Sequence, residues 1–79
     1  ALRLARAAVE EGGARPAILN AANEIAVAAF LEERIGFLQI AAIVEDVLHS
    51  FHPPAPETLD AVLAVDAEAR ALAEARVKK

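Results

Sequence analysis

Three polar side chains interrupt a long, largely apolar stretch of the sequence. Asn20, Asn23 and Glu24 lie in a long run of alanine and aliphatic residues. Asn20 and Glu24 are four residues apart, so in a helix they are neighbours. Two amides and a carboxylate could bind a small ligand or act in general acid–base catalysis. We favour a structural role, in which buried polar groups pair with the ends of neighbouring helices or loops, and Asn23→Ala then costs about 1–3 kcal/mol.

A second polar pair lies near the end of the chain. Asp66 interrupts the apolar stripe of the last predicted helix, and Arg70 follows one helical turn later. The pair could form an anion site or supply a catalytic carboxylate. We favour an ion pair, partly buried, that fixes the register of this helix or caps a neighbouring one.

The two histidines are weak candidates for a metal site. His49 and His52 are three residues apart, with Glu45 and Asp46 one turn earlier. A protein site for zinc needs three or four converging ligands. Because Pro53 follows at once, we predict that His52 lies beyond the helix and that both histidines interact with the negative helix end.

Other catalytic motifs are missing from the sequence. The three glycines form neither a phosphate-binding loop nor a dinucleotide-binding fingerprint. Ser50 adjoins His49, and adjacent residues of a helix do not face each other as a nucleophile and a base must. The residues therefore predict no catalytic, cofactor-binding or metal-ligating side chain.

Four helices are predicted to position these side chains. Gly12-Gly13, Gly36 and the proline-rich stretch after His52 separate four segments with apolar periodicity. The helices run from about Leu2 to Glu11, from Pro16 or Ile18 to Arg34, from Leu38 to Ser50, and from Leu59 to Arg76. The fold class is therefore all-α, a small four-helix bundle-like domain.

The apolar positions predict how these helices pack. The second helix is apolar nearly all round, which predicts a central helix enclosed by the others. The third carries a stripe of Ile40, Ile43, Val44, Val47, Leu48 and Phe51, and the fourth a stripe of Leu59, Val62, Leu63 and Ala73. We predict that Gly12 or Gly13 ends the first helix in a left-handed conformation and that Thr58 is the N-cap of the last.

Length and composition narrow the class of protein. The chain has 79 residues, 57% of them hydrophobic, with a net charge of −4 and no cysteine. One ordered domain is expected, without the basic surface that nonspecific nucleic-acid binding needs. No apolar run is long enough to cross a membrane and no signal peptide is present, so we expect a cytoplasmic protein. Ala1 opens directly into an apolar helical pattern, which predicts a piece of a longer polypeptide.

The second helix also carries a family resemblance. Residues 19–31, LNAANEIAVAAFL, resemble the signature of the C-terminal domain of 1-deoxy-D-xylulose 5-phosphate reductoisomerases. Ile35-Gly36-Phe37 downstream agrees, and residues 62–70, VLAVDAEAR, are similar to the closing helix of that family. The family often has Thr and Asp where this chain has Leu38 and Gln39, which predicts a weaker N-terminus for the third helix.

The resemblance implies a larger parent enzyme. Such enzymes use NADPH and a divalent metal, Mg or Mn, to convert 1-deoxy-D-xylulose 5-phosphate to 2-C-methyl-D-erythritol 4-phosphate in non-mevalonate isoprenoid biosynthesis. They are homodimers, and their N-terminal and central domains hold the cofactor, the metal and the substrate. The partners of this domain would be those remaining domains, and the isolated chain is predicted to be inactive.

None of the family's cofactor, metal or substrate motifs has a counterpart in this chain, so no catalytic residue carries over. The five residues that match the C-terminal signature are interpreted as structural: Asn20, Asn23, Glu24, Asp66 and Arg70. The alternative to a domain of a reductoisomerase is a free-standing acidic helical module for protein interaction.

Overall fold

The computed structural model describes residues 13–78, which form three helices and no strand. Helix α1 spans Arg15–Leu31, α2 spans Phe37–Ser50 and α3 spans Leu59–Val77. The predicted all-α fold is confirmed. The first predicted helix, from about Leu2 to Glu11, lies outside the described residues. In the described part of the chain, no helix is long and apolar enough to cross a membrane.

Helix α1 ends three residues before the predicted end at Arg34. Glu33 adopts a left-handed conformation with a φ of 62°. Its N–H donates to the Phe30 carbonyl at 2.9 Å, and the N–H of Arg34 donates to the Ala29 carbonyl, also at 2.9 Å. These two bonds form the Schellman motif, which satisfies carbonyls of the last helical turn and stops the helix. The sequence has no glycine or proline between Leu31 and Gly36, so the predicted helix was carried on through Glu32, Glu33 and Arg34.

Replacing Glu33 with glycine should stabilise the protein. A left-handed conformation costs a residue with a Cβ about 1–2 kcal/mol. Glycine removes this cost, but part of the gain is offset because glycine loses more backbone entropy on folding. We expect Glu33→Gly to raise the free energy of unfolding by about 0.5–1 kcal/mol, measured by urea denaturation. Glu32→Gly is the matched control: Glu32 has a φ of −88°, so the same change should destabilise. A lower stability for Glu33→Gly would contradict the assigned strain.

The first turns of α2 and α3 use different caps. At the start of α2, the N–H of Gly36 donates to Oε1 of Gln39 at 2.6 Å, and the Gln39 N–H donates to the Gly36 carbonyl at 3.0 Å. Gln39 therefore offsets the weaker start predicted for this helix. At the start of α3, Oγ1 of Thr58 accepts from the N–H of Ala61 at 3.0 Å, which confirms the predicted N-cap. Gly13 does not adopt a left-handed φ, and Gly12 lies outside the described residues.

Helix α1 is the central helix, because it packs on both α2 and α3 more extensively than those two pack on each other. More than half of the buried residues in the described core are alanine. The core residues of α1 are Ala17, Ile18, Ala21, Ala22, Ala26 and Ala29. Those of α2 and α3 are Ile43, Val44, Val47, Val62, Val65, Ala69, Ala73 and Val77. Small side chains at these positions let the helix axes approach closely.

The predicted stripe of α2 is confirmed, whereas two other packing predictions are wrong. Helix α1 is not enclosed all round, because Leu19 is 49% exposed and Leu31 is 73% exposed. On α3, Val62 and Ala73 of the predicted stripe are buried, but Leu59 and Leu63 are 50% and 56% exposed instead of lying in the core. The reason is the same in both helices: a face of small or β-branched residues turns inward and leaves the bulkier leucines outside.

Phe30 and Phe37 stabilise the connection between α1 and α2. Their ring centroids lie 5.7 Å apart and the rings are inclined at 69°, an edge-to-face arrangement. Phe30 is the next-to-last residue of α1 and Phe37 the first residue of α2. The pair therefore joins the end of one helix to the start of the next.

Candidate functional site

Four of the five polar residues singled out in the sequence come together between α1 and α3. Asn20 donates from Nδ2 to Oε2 of Glu24 at 2.9 Å. Arg70 donates from Nη2 to Oε1 of Glu24 at 3.1 Å, and from Nε to Oδ2 of Asp66 at 2.7 Å. We refer to Asn20, Glu24, Asp66 and Arg70 as the α1–α3 polar cluster. Helical spacing places the pairs within each helix, and Arg70 joins the two pairs.

The polar side chains of α1 lie toward the surface, which corrects the prediction that Asn20, Asn23 and Glu24 are buried. Asn20 is half-buried, whereas Asn23 and Glu24 are exposed. The side chain of Asp66 is 28% exposed and that of Arg70 is 36% exposed, so these two residues form the partly buried ion pair that was predicted. The alanine face of α1 explains the exposure of its polar residues. Because Ala21, Ala22 and Ala26 face the core, the polar residues at positions 20, 23 and 24 lie toward the opposite side of the helix. No polar or charged side chain among the described residues is buried.

The electrostatics of the cluster suit a fixed ion pair. The hydrogen bond to Asp66 raises the pKa of the Arg70 guanidinium, burial lowers it in part, and the hydrogen bond to Glu24 raises it again. Because folding raises the pKa of Arg70, the charged side chain stabilises the fold at every pH below the ordinary pKa of arginine. This stabilisation is lost only as the pH rises through the raised pKa. Arg70 is therefore charged throughout the physiological range, and it exchanges no proton there.

Removing Arg70 should cost little, and the cost should depend on salt. Because the charged groups are partly exposed, we expect Arg70→Ala to lower the free energy of unfolding by about 0.5–1 kcal/mol at low salt. In about 1 M NaCl most of that difference should vanish, since salt screens exposed charges. Urea denaturation at the two salt concentrations measures both values. Glu24→Gln is the control, because in the Arg70→Ala background it should have a smaller effect than in the wild type. A loss that persists in high salt would contradict an electrostatic role.

Asn23 stands apart from the cluster, and this changes the expected effect of its removal. It is exposed on α1 and its side chain makes no hydrogen bond within the described residues. We now expect Asn23→Ala to change the free energy of unfolding by less than about 0.5 kcal/mol, in place of the larger loss predicted for a buried amide. Thermal unfolding of the isolated chain measures this. A loss above about 1 kcal/mol would instead indicate that the Asn23 amide has a buried hydrogen-bond partner.

A second polar contact, between α2 and α3, was missed in the sequence. Arg76 forms an ion pair with Asp46, donates to Oγ of Ser50 at 2.9 Å, and donates to the Leu72 carbonyl at 3.0 Å. Asp46 and Ser50 precede Arg76 by 30 and 26 residues. No spacing rule connects residues so far apart, so only the packing of the helices brings them together.

The histidines do not form a metal site with other described residues. His52 lies beyond the end of α2, as predicted, and its Nε2 donates to the His49 carbonyl at 2.7 Å. Within residues 13–78, no three histidine, aspartate or glutamate side chains are placed to hold a metal ion. The described residues therefore do not fit the divalent metal that the family resemblance implies for a parent enzyme.

An apolar groove of about 380 Å³ lies between α1 and α2. We refer to it as the α1–α2 groove, and its walls include Leu19, Asn23, Phe37, Leu38, Ile40 and Leu48. Leu38 is 85% exposed and Phe37 is 69% exposed. This groove was not predicted from the sequence, because the apolar residues near the helix ends were assigned to helices without a prediction of which would be exposed.

The sequence of this domain matches that of a known protein family. Residues 1–72 match the family model described as the DXP reductoisomerase C-terminal domain. The chain belongs to this family. The resemblance read from residues 19–31 and their surroundings is confirmed.

Individual reductoisomerases match this C-terminal domain over nearly all of its length. The 1-deoxy-D-xylulose 5-phosphate reductoisomerase of Zymomonas mobilis is 57% identical over 75 residues, which are 95% of this chain and 19% of the relative. That of Burkholderia cenocepacia is 60% identical over 78 residues, 99% of this chain and 20% of the relative. The chain thus spans about a fifth of the length of these curated relatives.

A solved structure shows the same fold. The 1-deoxy-D-xylulose 5-phosphate reductoisomerase from Zymomonas mobilis, in complex with NADPH, matches with a TM-score of 0.83 and 54% sequence identity. The match covers 99% of this C-terminal domain and 21% of that chain. The four residues of the α1–α3 polar cluster all lie in the segments that carried the sequence resemblance, residues 19–31 and 62–70.

Proposed function

We propose that this chain is a structural domain of a 1-deoxy-D-xylulose 5-phosphate reductoisomerase. The parent polypeptide would convert 1-deoxy-D-xylulose 5-phosphate and NADPH to 2-C-methyl-D-erythritol 4-phosphate. The observation that carries the proposal is the 60% identity to a named reductoisomerase over 99% of this chain. That relative is about five times as long, so the reaction is assigned to the polypeptide as a whole.

The domain's own contribution would be mechanical. Three helices packed through alanine and valine faces form a compact unit, and ion pairs join α3 to the rest of the fold. Such a unit can support the reactive part of an enzyme, because catalytic groups keep their geometry only on a rigid scaffold. On this proposal, Asn20, Glu24, Asp66 and Arg70 hold α1 and α3 together and touch no reactant.

The cofactors of the parent would be bound elsewhere in the polypeptide. The similar structure from Zymomonas mobilis is a complex with NADPH, which supports NADPH as the reductant. The Mg or Mn of the proposal would be held by carboxylates outside this domain, because the described residues offer no suitable group. We also include in the proposal that the parent is a homodimer and acts in the cytoplasm.

A comparison of three polypeptides tests this assignment. NADPH oxidation is measured with 1-deoxy-D-xylulose 5-phosphate and Mn²⁺ for the full-length parent, for the parent lacking residues 1–79, and for this chain alone. We expect turnover by the full-length protein, none by the chain alone, and a strongly reduced rate or an unstable protein after the deletion. Turnover by the chain alone would disprove the structural role, and an inactive full-length protein would disprove the assigned reaction.

A further inference from the structure

The α1–α2 groove exposes bulky apolar side chains. Leu38 is 85% exposed, Phe37 is 69% exposed and Leu19 is 49% exposed, and all three line the groove. Scattered apolar residues are normal on a protein surface, but a contiguous apolar patch marks an interaction site. The groove also has two polar positions, the amide of Asn23 and the carboxylate of Glu45.

We propose that the α1–α2 groove is the surface through which this domain docks on the rest of its own polypeptide. The occupant is an apolar segment outside these 79 residues that inserts two or three bulky side chains beside Leu19, Phe37 and Leu38. This inference rests on the proposed function, since it requires a parent longer than this chain.

The size of the groove favours a tethered segment over a second copy of the chain. A volume of 380 Å³ is that of about a dozen water molecules, so only a few side chains fit. A stable dimer usually buries about 800 Å² on each partner, with about 20–30 residues a side. A segment of the same polypeptide needs far less contact, because tethering holds it at an effective concentration of about millimolar or higher.

Charge also disfavours a second copy. Each chain carries a net charge of −4, so two copies repel each other on approach. The carboxylate of Glu45 instead favours a segment with Lys or Arg beside its apolar residues. The Asn23 amide, the other polar group in the groove, can both donate to and accept from the backbone of such a segment.

Thiol labelling can test the docking directly, since the chain has no cysteine of its own. Leu38→Cys places a thiol in the groove, and Leu31→Cys is the matched control on a leucine that is 73% exposed and does not line the groove. Each variant is prepared in the full-length parent and in the 79-residue chain. Labelling by iodoacetamide is followed at each site by mass spectrometry of peptides, so other cysteines of the parent do not interfere.

We expect the two thiols to react at similar rates in the 79-residue chain. In the full-length protein, the thiol from Leu38→Cys should react at least about tenfold more slowly than in the chain, and the thiol from Leu31→Cys less than about threefold more slowly. Equal reactivity of Leu38→Cys in the two proteins, or equal slowing at both positions, would overturn the proposal. Protection that disappears on dilution, or that appears in the concentrated 79-residue chain, would point to a second copy and would also overturn it.

This test is separate from the test of the proposed function. A full-length parent that oxidises NADPH with its substrate but leaves Leu38→Cys fully reactive disproves the docking site alone. A parent that protects Leu38→Cys but lacks turnover disproves the assigned reaction and leaves the docking site standing.

Discussion

Replacing Ile18 with alanine should lower the free energy of unfolding by about 2–4 kcal/mol. Ile18 is 1% exposed, and with Val47 it is the largest fully buried side chain among the described residues. The substitution removes buried apolar contacts and leaves a cavity. Several of the other core residues on α1 are alanines, and their short side chains cannot move in to fill the space. We therefore place the cost well above the loss of contact area alone.

The effect of Ile18→Ala is large relative to the total. A domain of this length has about 4–12 kcal/mol of stability, so the variant should lose a substantial part of it. Thermal unfolding should show a fall in Tm of about 10–25 °C. Leu19→Ala is the control at the adjacent position, which is 49% exposed, and it should cost about 1 kcal/mol or less. Equal losses for the two variants would show that Ile18 does not lie in the core as described.

Enlarging Ala69 should be the second most damaging change. Ala69 is fully buried at 0% exposure, on the face of α3 that packs into the core. Ala69→Leu adds three carbon atoms where the helices are in close contact, so either the side chain is strained or the helices move apart. We expect a loss of about 1–3 kcal/mol, and more if α1 and α3 separate.

Ala71→Leu is the matched control for this second change. Ala71 lies on the same helix and is exposed, so the same added carbon atoms meet solvent. It should change the free energy of unfolding by less than about 0.5 kcal/mol. Urea denaturation of the two variants measures the difference. A harmless Ala69→Leu would mean that α3 does not pack closely through its alanine face.

Helix α2 shows how well a local pattern can predict burial. Its bulky apolar residues recur every three or four positions, and the predicted stripe includes Ile43, Val44 and Val47, which are all buried. The start of α3 was equally predictable, because Thr58 is a strong N-cap whose hydrogen bond to Ala61 is local. In both cases, the interactions that decide the structure lie within a few residues of each other.

Helix α1 shows where the same reasoning fails. Its bulky residues point in several directions, which suggested enclosure on all sides. The buried face is instead marked by alanines, while Leu19 and Leu31 remain exposed. Alanine has a small apolar area and gains little free energy from burial, so its pattern carries a weak signal until the neighbouring helices are in place.

Some contacts of the α1–α3 polar cluster could be predicted from the sequence, and others depend on the packing of the helices. The contacts of Asn20 with Glu24 and of Asp66 with Arg70 span one helical turn, and both follow from spacing. The contact of Arg70 with Glu24 crosses 46 residues of sequence, and it depends on how α3 lies against α1. Burial of Asn20, Asn23 and Glu24 was predicted wrongly for the same reason, since the orientation of α1 decides which of its sides meets solvent.

The amino-acid sequence by itself determined the helical class, the approximate helix positions, the N-cap of α3 and the family, because these depend on short-range contacts and on the order of residues. Only the tertiary structure decided that alanines face the core of α1, that Leu59 and Leu63 are exposed, and that Arg76 reaches Asp46. The physical reason is that burial of a helix face depends on how closely another helix can approach. That distance is set by the side chains of both helices together, and residues far apart in the sequence supply them.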